Sequence, residues 1–545
     1  MALGNLPLSN TKTREQLGFE YCRNALNTLT PQAKALLKEK KPYKPGEEGR
    51  LIAEFSRLEK VRELRAAHPD IFDMVSQDFM EIKDIEPTLK KCLKQSLNTV
   101  EFYEVKLLLI LLEDLYLLQQ KLPELPGEYR VQNLSSALDI LDPSKERIAT
   151  FYLYDSFSEK LASLRVKKRE YEVEARKVQK ALREELRREH GIMLTPKFDI
   201  TASKGDQALI AKLDAIPALT RAEEDYMSVR FELIPNSETD EINKKADELA
   251  IEIEDEEMRV CEMLTEKISA YVDNILDSCS CAAEFDIAIA KAAFADEYDC
   301  VRPEISEEHI IEFEDGRHPE VLKTLEKRGA KYCPVSISLR DGVSLITGAN
   351  MGGKTISLKL TGLIAMLAQN AFFVPAKRAK IGLSSHMQIL IGDSQSVERG
   401  LSSFGSEMEE LKEILDKSTA LSLVLIDEIA SGTNPTEGLA LTKSLAEYLK
   451  KRPIISLITT HFEGATDEEG ILNLQVRGLA GVDFRLLERE LKYANRRQRI
   501  EVIGKYMDYR LYRVDKNTEV PRDALNIARM LGLPDEIIEG AKKFI

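Results

Sequence analysis

The stretch that decides the fold is GANMGGKT, residues 348–355. It fits the pattern G-x-x-x-x-G-K-[ST], a loop whose backbone N–H groups bind the phosphates of ATP or GTP. An apolar, β-prone run precedes it at residues 343–346, and residues 356–367 have the composition of a helix. The glycines allow the backbone to approach the phosphates, and the helix N-terminus adds the positive end of its dipole. This strand–loop–helix setting predicts a nucleotide site in which Lys354 reaches the β- and γ-phosphates and Thr355 helps to bind Mg²⁺.

The composition is that of a large, charge-rich protein. The chain has 545 residues, of which 43% are hydrophobic and 31% charged, and this length suffices for about three or four domains. No apolar run reaches the roughly 18–20 residues that span a membrane, and the first 14 residues lack a secretory signal. The scattered cysteines, with one unmatched pair at Cys279 and Cys281, favour reduced thiols over a zinc site. We therefore expect a cytoplasmic protein without membrane contact. The net charge of −15 argues against a uniformly basic, nucleic-acid-coating surface but allows a local basic patch.

The first 130 residues have a helical pattern with few strand-like runs, and two long helical runs follow. Residues 159–190 form a long, polar, strongly helix-forming run closed by Gly191, and residues 240–275 space apolar side chains by threes, fours and sevens. Such spacing predicts two long helices packed as coiled-coil-like arms. Residues 195–235 between them are mixed and are expected to form the tip of the arms.

The pattern changes near residue 310, where short β-prone runs begin to alternate with helices. The runs are Val335–Leu339, Val343–Thr347, Met387–Ile391, Leu423–Ile426 and Ile454–Thr459. Alternation of this kind predicts an α/β domain with a largely parallel sheet.

Two of these runs end in residues that suit phosphate chemistry. Asp427 and Glu428 follow an apolar strand, and in P-loop ATPases the first acid of such a pair supports Mg²⁺ while the second polarises water. Solvated carboxylates at a strand end are the alternative. His461 follows another strand at the ligand-binding edge of the sheet, which favours contact with the γ-phosphate or the attacking water over a structural role.

Two further segments lie between and after these motifs. Ser402 and Ser403 are suited to cap the helix that follows. Either they do only that, or the exposed helix N-terminus donates to a γ-phosphate bound by a partner subunit. The turn-rich residues 432–438 follow the acid pair, in the right place for contacts across a dimer that sandwiches nucleotide.

The order of these motifs is that of ABC-type ATPases, and their sequences resemble those of the MutS family of DNA mismatch-repair ATPases. The segments that show the resemblance are TGANMGGKT (347–355), GLSSFGSEM (400–408), LIDEIASGTNPTEG (425–438) and TTH (459–461). GKTISLK (353–359), GDSQS (392–396) and NPTEG (434–438) look most like the second bacterial MutS subfamily. GRHP (316–319) resembles the start of the family's ATPase domain, and LGLPDEII (531–538) resembles its closing helical segment.

The resemblance implies a multidomain fold. It consists of an all-α lever and core with long helical clamp arms, followed by a C-terminal α/β P-loop ATPase domain of ABC type. The implied domains are a helical core and lever (1–158), clamp arms with a mixed tip (159–276), a helical return to the core (277–309), and the ATPase with a C-terminal helical dimerisation segment (310–545).

The resemblance also implies the roles of single residues toward ATP and Mg²⁺. Lys354 and Thr355 would bind triphosphate and Mg²⁺, Asp427 would support Mg²⁺, and Glu428 would be the general base. Ser402 would sense the partner's γ-phosphate, and His461 would complete the water site. The remaining nucleotide-binding residues are the loop positions Gly348, Asn350, Gly352 and Gly353, with Tyr332 as the residue that stacks on adenine.

The sequence departs from the family pattern in several places. Ala349 stands where the family has proline, and Ser403 where it has threonine. No mismatch-reading domain precedes the helical core. Residues 102–104 match the F-x-E motif of that domain, but they lie in an apolar run, and we interpret them as part of the core. No room remains after the ATPase for the Smr nuclease of the subfamily. We therefore expect no nicking activity, and nothing in the sequence identifies a mismatch as the trigger.

Contact with nucleic acid would fall to the first arm helix. Its basic side chains are Arg165, Lys167, Lys168, Arg169, Arg176, Lys177, Lys180, Arg183, Arg187 and Arg188. Acids are interleaved with them, so that a solvated face is the alternative to a phosphate track. The leading hypothesis is a homodimeric ATPase whose arms move around double-stranded or branched DNA. The alternative is a MutS-derived ATPase that remodels an RNA–protein or enzyme complex.

Overall fold

The computed structural model describes residues 7–348, 353–392, 403–462, 464, 470–479, 482–492, 499, 502–503, 505–514 and 523–544. The chain forms two compact units. The first unit comprises residues 1–80, 119–130 and 281–545, and the second comprises residues 81–118 and 131–280.

Helices account for most of the chain up to residue 300. In order, they are Thr11–Gln16, Phe19–Asn24, Pro31–Glu39, Glu48–Ala67, Pro69–Glu81, Glu86–Cys92, Thr99–Gln120, Ser135–Leu141, Glu159–His190, Gln207–Asp214, Ser237–Ser269 and Val272–Glu297. Later helices are Pro319–Lys327, Gly353–Gln369, Ser403–Lys417, Pro435–Lys450, Phe484–Lys492, Asp523–Met530 and Asp535–Ala541. Short 3₁₀ turns lie at Gly127–Tyr129, Asp155–Phe157 and Lys542–Phe544.

The described strands belong to three sheets. They are β1 Asp199–Ser203, β2 Leu219–Glu224, β3 Ser228–Leu233, β4 Glu304–Ser306, β5 Ile310–Gly316, β6 Val335–Arg340, β7 Gly342–Thr347, β8 Arg378–Gly382, β9 His386–Ile391, β10 Ser422–Asp427, β11 Ile455–Thr459, β12 Leu472–Gly478 and β13 Asp508–Arg513. The sheet orders are β1-β3-β2, β4-β8-β5-β6 and β13-β12-β7-β11-β10-β9.

The two longest helices of the second unit pack against each other. We call Glu159–His190 the first arm helix and Ser237–Ser269 the second arm helix. The Ser158 hydroxyl caps the first by accepting from Leu161 N, and Gly191 ends it at a φ of +67°, a conformation that glycine adopts without strain. The second was predicted to reach residue 275, but it ends at Ser269 and a new helix starts at Val272. Apolar spacing continues across this break, so the periodicity did not reveal it.

The second unit is not purely helical. Residues between the arm helices form the antiparallel sheet β1-β3-β2, over a cluster that includes Leu186, Leu213 and Phe231. This sheet lies within residues 195–235, the segment predicted to be mixed, and no described strand lies before residue 199. In the helix Thr99–Gln120, Phe102 is fully buried and its ring lies 5.4 Å from that of Phe151, in agreement with its interpretation as core.

The six-stranded sheet of the first unit is the predicted parallel sheet. Strands β12, β7, β11, β10 and β9 are parallel neighbours, and only the edge pair β12–β13 is antiparallel. Every residue of β10 and β11 is buried, as expected for strands covered on both faces.

One predicted strand belongs to a different sheet. The run Val335–Leu339 was assigned to the parallel sheet, but it forms β6 of the four-stranded sheet and pairs antiparallel with β5. Its side chains alternate between buried and exposed, which is typical of a sheet with one solvated face. The alternation of valine, isoleucine and leucine with serine was the sequence signal for this placement.

None of the helices in the described part of the chain combines the length and the apolar character needed to cross a membrane.

Candidate nucleotide site

The site lies where three adjacent parallel strands end. Asp427 of β10 is in register with Thr459 of β11, and Thr459 is in register with Ile346 of β7. Parallel strands bring their carboxyl ends to one edge, and ligands of open α/β sheets bind at that edge. The segments that follow the three strands therefore meet there.

Lys354 is held at the centre of this edge. It lies in the first turn of the helix Gly353–Gln369, and its residue is only 3% exposed. Its Nζ atom lies 2.9 Å from the carbonyl oxygen of Gly348, 3.4 Å from that of Thr460 and 2.9 Å from a carboxylate oxygen of Glu428. The ammonium thus joins the segments that follow β7, β10 and β11.

A second set of contacts joins Thr355, Asp427 and Thr459. The Thr355 hydroxyl donates to one carboxylate oxygen of Asp427 at 2.8 Å, and the Thr459 hydroxyl donates to the other at 2.5 Å. Asp427 is 8% exposed. The two oxygens of Asp427 are therefore oriented by a hydroxyl group from the helix Gly353–Gln369 and by one from the neighbouring strand β11.

Glu428 has a left-handed backbone, with a φ of +48°. This conformation costs a residue with a β-carbon roughly 1–2 kcal/mol. The backbone N–H of Glu428 donates to both the carbonyl and the hydroxyl oxygen of Thr459, at 3.1 and 3.0 Å. These bonds hold the turn that directs the partly exposed Glu428 carboxylate toward Lys354. Strain of this kind is concentrated at functional sites.

Glu407 connects the helix Ser403–Lys417 to the same edge. Its carboxylate accepts from the backbone N–H of Ala430 at 3.1 Å, and Ala430 also has a left-handed φ of +59°. Burial raises the pKa of Glu407, which the hydrogen bond from Ala430 opposes and the charge of Glu410 reinforces. Neither Glu407 nor Thr459 could be singled out from the sequence, because neither residue type is distinctive by itself.

His461 follows β11 at the predicted position, and its side chain is exposed. Its ring centroid lies 4.3 Å from that of Phe462. The backbone N–H of the preceding Thr460 donates to Ile346 O at 3.0 Å, so the chain enters the site in a fixed position. The contact of His461 with phosphate or water stays a prediction.

Tyr332 uses its hydroxyl within the fold, where it accepts from the backbone N–H of His318 at 3.0 Å. Burial raises its pKa to about 12.

The strand that carries Tyr509 also reaches this region, since the Sγ atom of Cys333, adjacent to Tyr332, lies 3.7 Å from a carboxylate oxygen of Asp508. Next to Asp508, the ring of Tyr509 lies so close to Gly353 that a β-carbon there would be 2.6 Å from Cδ1. Tyr509 was not recognised from the sequence, and the stacking of Tyr332 on adenine stays a prediction.

Three of the predicted site residues, Asn350, Gly352 and Ser402, lie outside the described residues. Gly348 follows β7 directly, and Gly353 opens the helix that carries Lys354. The strand and the helix that frame the predicted phosphate loop are therefore both present, and the helix begins three residues earlier than predicted.

Comparison with known proteins agrees with this geometry. The family model of MutS domain V matches residues 344–545, a range that contains Lys354, Asp427, Glu428 and His461. Residues 344–545 belong to the MutS family. The family resemblance based on the motifs is thereby confirmed.

Several curated relatives of this chain are named "Endonuclease MutS2". The protein of Clostridium botulinum (strain Okra / Type B1) is 35% identical over 311 residues, which cover 56% of this chain and 36% of that relative. Those of Symbiobacterium thermophilum and Thermomicrobium roseum are 32% and 33% identical, with 56% of this chain covered in each case and 35% and 37% of the relatives. The match thus spans only about a third of each relative's length.

Proposed function

We propose that this chain hydrolyses ATP. The observation that supports the proposal best is the convergence of Lys354, Thr355, Asp427 and Glu428 at one edge of a parallel sheet. Glu428 lies 74 positions after Lys354 in the chain, yet their charged groups are within ion-pair distance. This set supplies a phosphate-binding cation, two oxygen groups for a metal and a carboxylate for the water.

The chemistry of the donors fits Mg²⁺. A hydroxyl and a carboxylate are the hard oxygen ligands that Mg²⁺ prefers, and it takes its remaining ligands from water and phosphate. Thr355 and Asp427 would hold it, because their oxygens already lie 2.8 Å apart. The described residues contain no cluster of three or more His, Cys, Asp or Glu residues for a metal, and such a phosphate-bound site needs none. When bound, Mg²⁺ neutralises charge on the β- and γ-phosphates.

The residues of the chain then divide the work. Lys354 binds the phosphates, and Thr459 orients Asp427 and the backbone of Glu428. The Glu428 carboxylate, displaced from Lys354 by the incoming phosphate, accepts a proton from the attacking water. His461 completes the water site.

We extend the proposal to a homodimer that sandwiches ATP between two copies. Two elements support it: the helix Ser403–Lys417 starts next to Ser402, and the helix Pro435–Lys450 starts in the loop after the acid pair. Asn434 caps the latter helix by accepting from Thr436 N at 2.9 Å. Ser402 would then donate to the partner's γ-phosphate through the helix N-terminus.

The first arm helix is the proposed contact for double-stranded or branched DNA. It contains eleven basic and seven acidic residues, whereas the second arm helix contains four basic and twelve acidic ones. Arg169, Arg176 and Lys180 are exposed, form no ion pair with a described residue, and share one helical stripe by their spacing of seven and four. Such a stripe suits a phosphate backbone and carries no sequence information.

The acidic second arm helix supports the alternative target, an RNA–protein or enzyme complex. Equilibrium binding and ATPase rate should be measured with duplex DNA, branched DNA and structured RNA across a salt series. A DNA clamp predicts salt-sensitive affinity, nucleotide-dependent release, and loss of binding in the triple variant R169Q/R176Q/K180Q. ATP hydrolysis without DNA binding at about 50 mM salt would leave the ATPase intact and reject DNA as the target.

A further inference from the structure

A basic cavity lies in the first unit, apart from the nucleotide site. Its volume is about 400 Å³, and its wall includes Arg14, Arg23, Lys38, Lys40, Lys41 and Lys44. No aspartate or glutamate is among the described residues that line it, although the whole chain carries a net charge of −15. A second cavity of about 490 Å³ adjoins it and shares Lys40, Lys41 and Lys44, but its wall also includes Glu39, Glu47 and Glu54. Local charge of one sign in a concave wall attracts ions of the opposite sign.

Lys291 lies in the wall of both cavities and is only 3% exposed. One of its N–H groups donates to Asn370 O at 2.9 Å, and its Nζ lies 4.9 Å from the centre of the Phe372 ring. No described carboxylate pairs with it, and no second described acceptor lies within hydrogen-bond distance. An ammonium in this position has two donors left, and burial of such a charge is costly unless it is compensated.

The acids near Lys291 are engaged elsewhere. Glu54 binds Arg57, and Glu284 pairs with Lys40 at 2.6 Å. Arg14 and Arg23 share Glu20, whereas Lys38 and Lys41 are exposed and form no ion pair with a described residue. The cavity therefore keeps a surplus of positive charge.

Hydrogen bonds fix the backbone segments that form the wall of the cavity. The Asp286 carboxylate accepts from the backbone N–H groups of Leu29 and Thr30, which fixes the start of the helix Pro31–Glu39. Tyr43 N donates to Gln369 O at 2.7 Å, and Gln369 Nε2 donates to Tyr43 O at 2.8 Å. Gln369 is the last residue of the helix that begins at the phosphate loop, so the cavity lies at the opposite end of that helix from Lys354.

From this geometry we infer that the basic cavity binds a small phosphorylated molecule with two or more negative charges, whose anionic group contacts Lys291. The volume exceeds that of a single phosphate and lies in the range of small-molecule sites. Phe19, Leu37 and Phe372 provide apolar contact for the rest of the molecule. The inference does not depend on the proposed ATPase activity.

Protonation gives an independent signature. Burial and the nearby charge of Lys40 lower the pKa of Lys291 to about 7, against the opposing effects of Glu54 and Glu284. An anion at the ammonium favours the charged form, so that binding takes up a proton and weakens as the pH rises above about 7. Sulfate, which does not titrate in this range, is a suitable probe of this effect.

The test uses pyrophosphate and the full chain in a Lys354→Ala background, which removes the phosphate-loop lysine. Titration calorimetry is expected to show saturable binding, and pyrophosphate should raise the melting temperature. Lys291→Met should weaken binding at least tenfold and abolish both the thermal shift and its pH dependence with sulfate, while the melting temperature without anion stays equal or rises. Lys327→Gln, an exposed lysine outside the cavity, is the matched control and should change neither.

Either of two results would overturn the inference. One is the absence of saturable pyrophosphate binding up to about 10 mM, and the other is equal binding by the Lys291→Met variant and its parent. If Lys291→Met does not fold, the double variant K38Q/K41Q decides. It should bind pyrophosphate at least threefold more weakly, and unchanged affinity would equally reject the site.

Discussion

The Nζ atom of Lys354 lies 2.9 Å from a carboxylate oxygen of Glu428, so the proposed phosphate-binding cation and the proposed general base are paired with each other. The lysine side chain is 4% exposed and that of the glutamate 26%. If Lys354 binds the γ-phosphate as we propose, the incoming phosphate has to replace Glu428 at its ammonium group. In our account this exchange frees the carboxylate for water at the moment when the phosphate is in place.

Thr459 is expected to act as a positioning residue for the acid pair. Its hydroxyl donates to Asp427 and accepts from the backbone N–H of Glu428. Thr459→Val removes both bonds with little change in volume, and we expect the ATPase rate to fall about 10- to 100-fold, with a higher Mg²⁺ requirement.

Thr459→Ser keeps the hydroxyl and is the matched control, which should retain most of the rate. The readout is the ATPase rate as a function of Mg²⁺ concentration. An unchanged Mg²⁺ dependence in Thr459→Val would show that the hydroxyl only supports the fold.

Gly438 permits the close approach of its helix to the site. A β-carbon there would lie 2.5 Å from Phe462 Cζ and 3.0 Å from Ala430 O. Gly438→Ala should lower the stability by about 1–3 kcal/mol through overpacking, measured as denaturant-induced unfolding of the chain. Because Phe462 follows His461, the ATPase rate should fall as well.

Gly540→Ala is the control for this substitution. Gly540 also lies within a helix, but its β-carbon would meet nothing within 4 Å. The alanine is expected to leave stability unchanged or raise it by up to about 1 kcal/mol, through helix propensity alone. Equal effects of the two alanines would contradict the packing argument.

We expect the burial of His318, in the segment GRHP (316–319), to make the stability of the protein sensitive to acid. Its Nε2 lies 3.1 Å from Leu17 O, and its Nδ1 is buried without a partner among the described residues. Burial lowers its pKa from 6.5 to about 4. The folded state thus binds fewer protons than the unfolded state between these values, and stability is lost as the pH falls from about 6.5 toward 4, by about 3 kcal/mol in total.

The contribution of His318 to the pH dependence of stability is measured as a difference between variants, since many carboxylates titrate in the same range. His318→Gln can still donate to Leu17 O and has no proton to gain. Its melting temperature should therefore decline less steeply between about pH 6.5 and 4 than that of the parent. His68→Gln changes an exposed imidazole of the same unit and is the control. Parallel pH profiles for parent and His318→Gln would refute the assignment.

The sequence was sufficient for the local parts of the site and insufficient for their partners. The strand before the phosphate loop, the helix after it, and the strands that carry Asp427 and Thr459 all form as predicted, because apolar runs and glycine-rich turns are local signals. The ion pair of Lys354 with Glu428 joins residues 74 positions apart, and only the strand order of the folded sheet brings them together.

Other features depended on contacts that no local pattern encodes. Glu407 looked like one more acid at a helix start, but it binds the backbone of Ala430. Tyr509 lies on an antiparallel edge strand that was not predicted, and its contact with Gly353 depends on the pairing of β13 with β12. The basic cavity likewise assembles lysines from residues 38–44 around Lys291, far apart in the chain.

The central claim is tested most directly by Glu428→Gln, with ATP binding and single-turnover hydrolysis measured on the same preparation. Glutamine keeps the size of the side chain but loses the charge that pairs with Lys354 and the ability to accept a proton. The account predicts that this variant binds ATP at least as tightly as the parent and that its hydrolysis rate is at least about 100-fold lower. Near-parental turnover would contradict the assignment of Glu428 as the general base, and loss of ATP binding would contradict the proposed exchange at Lys354.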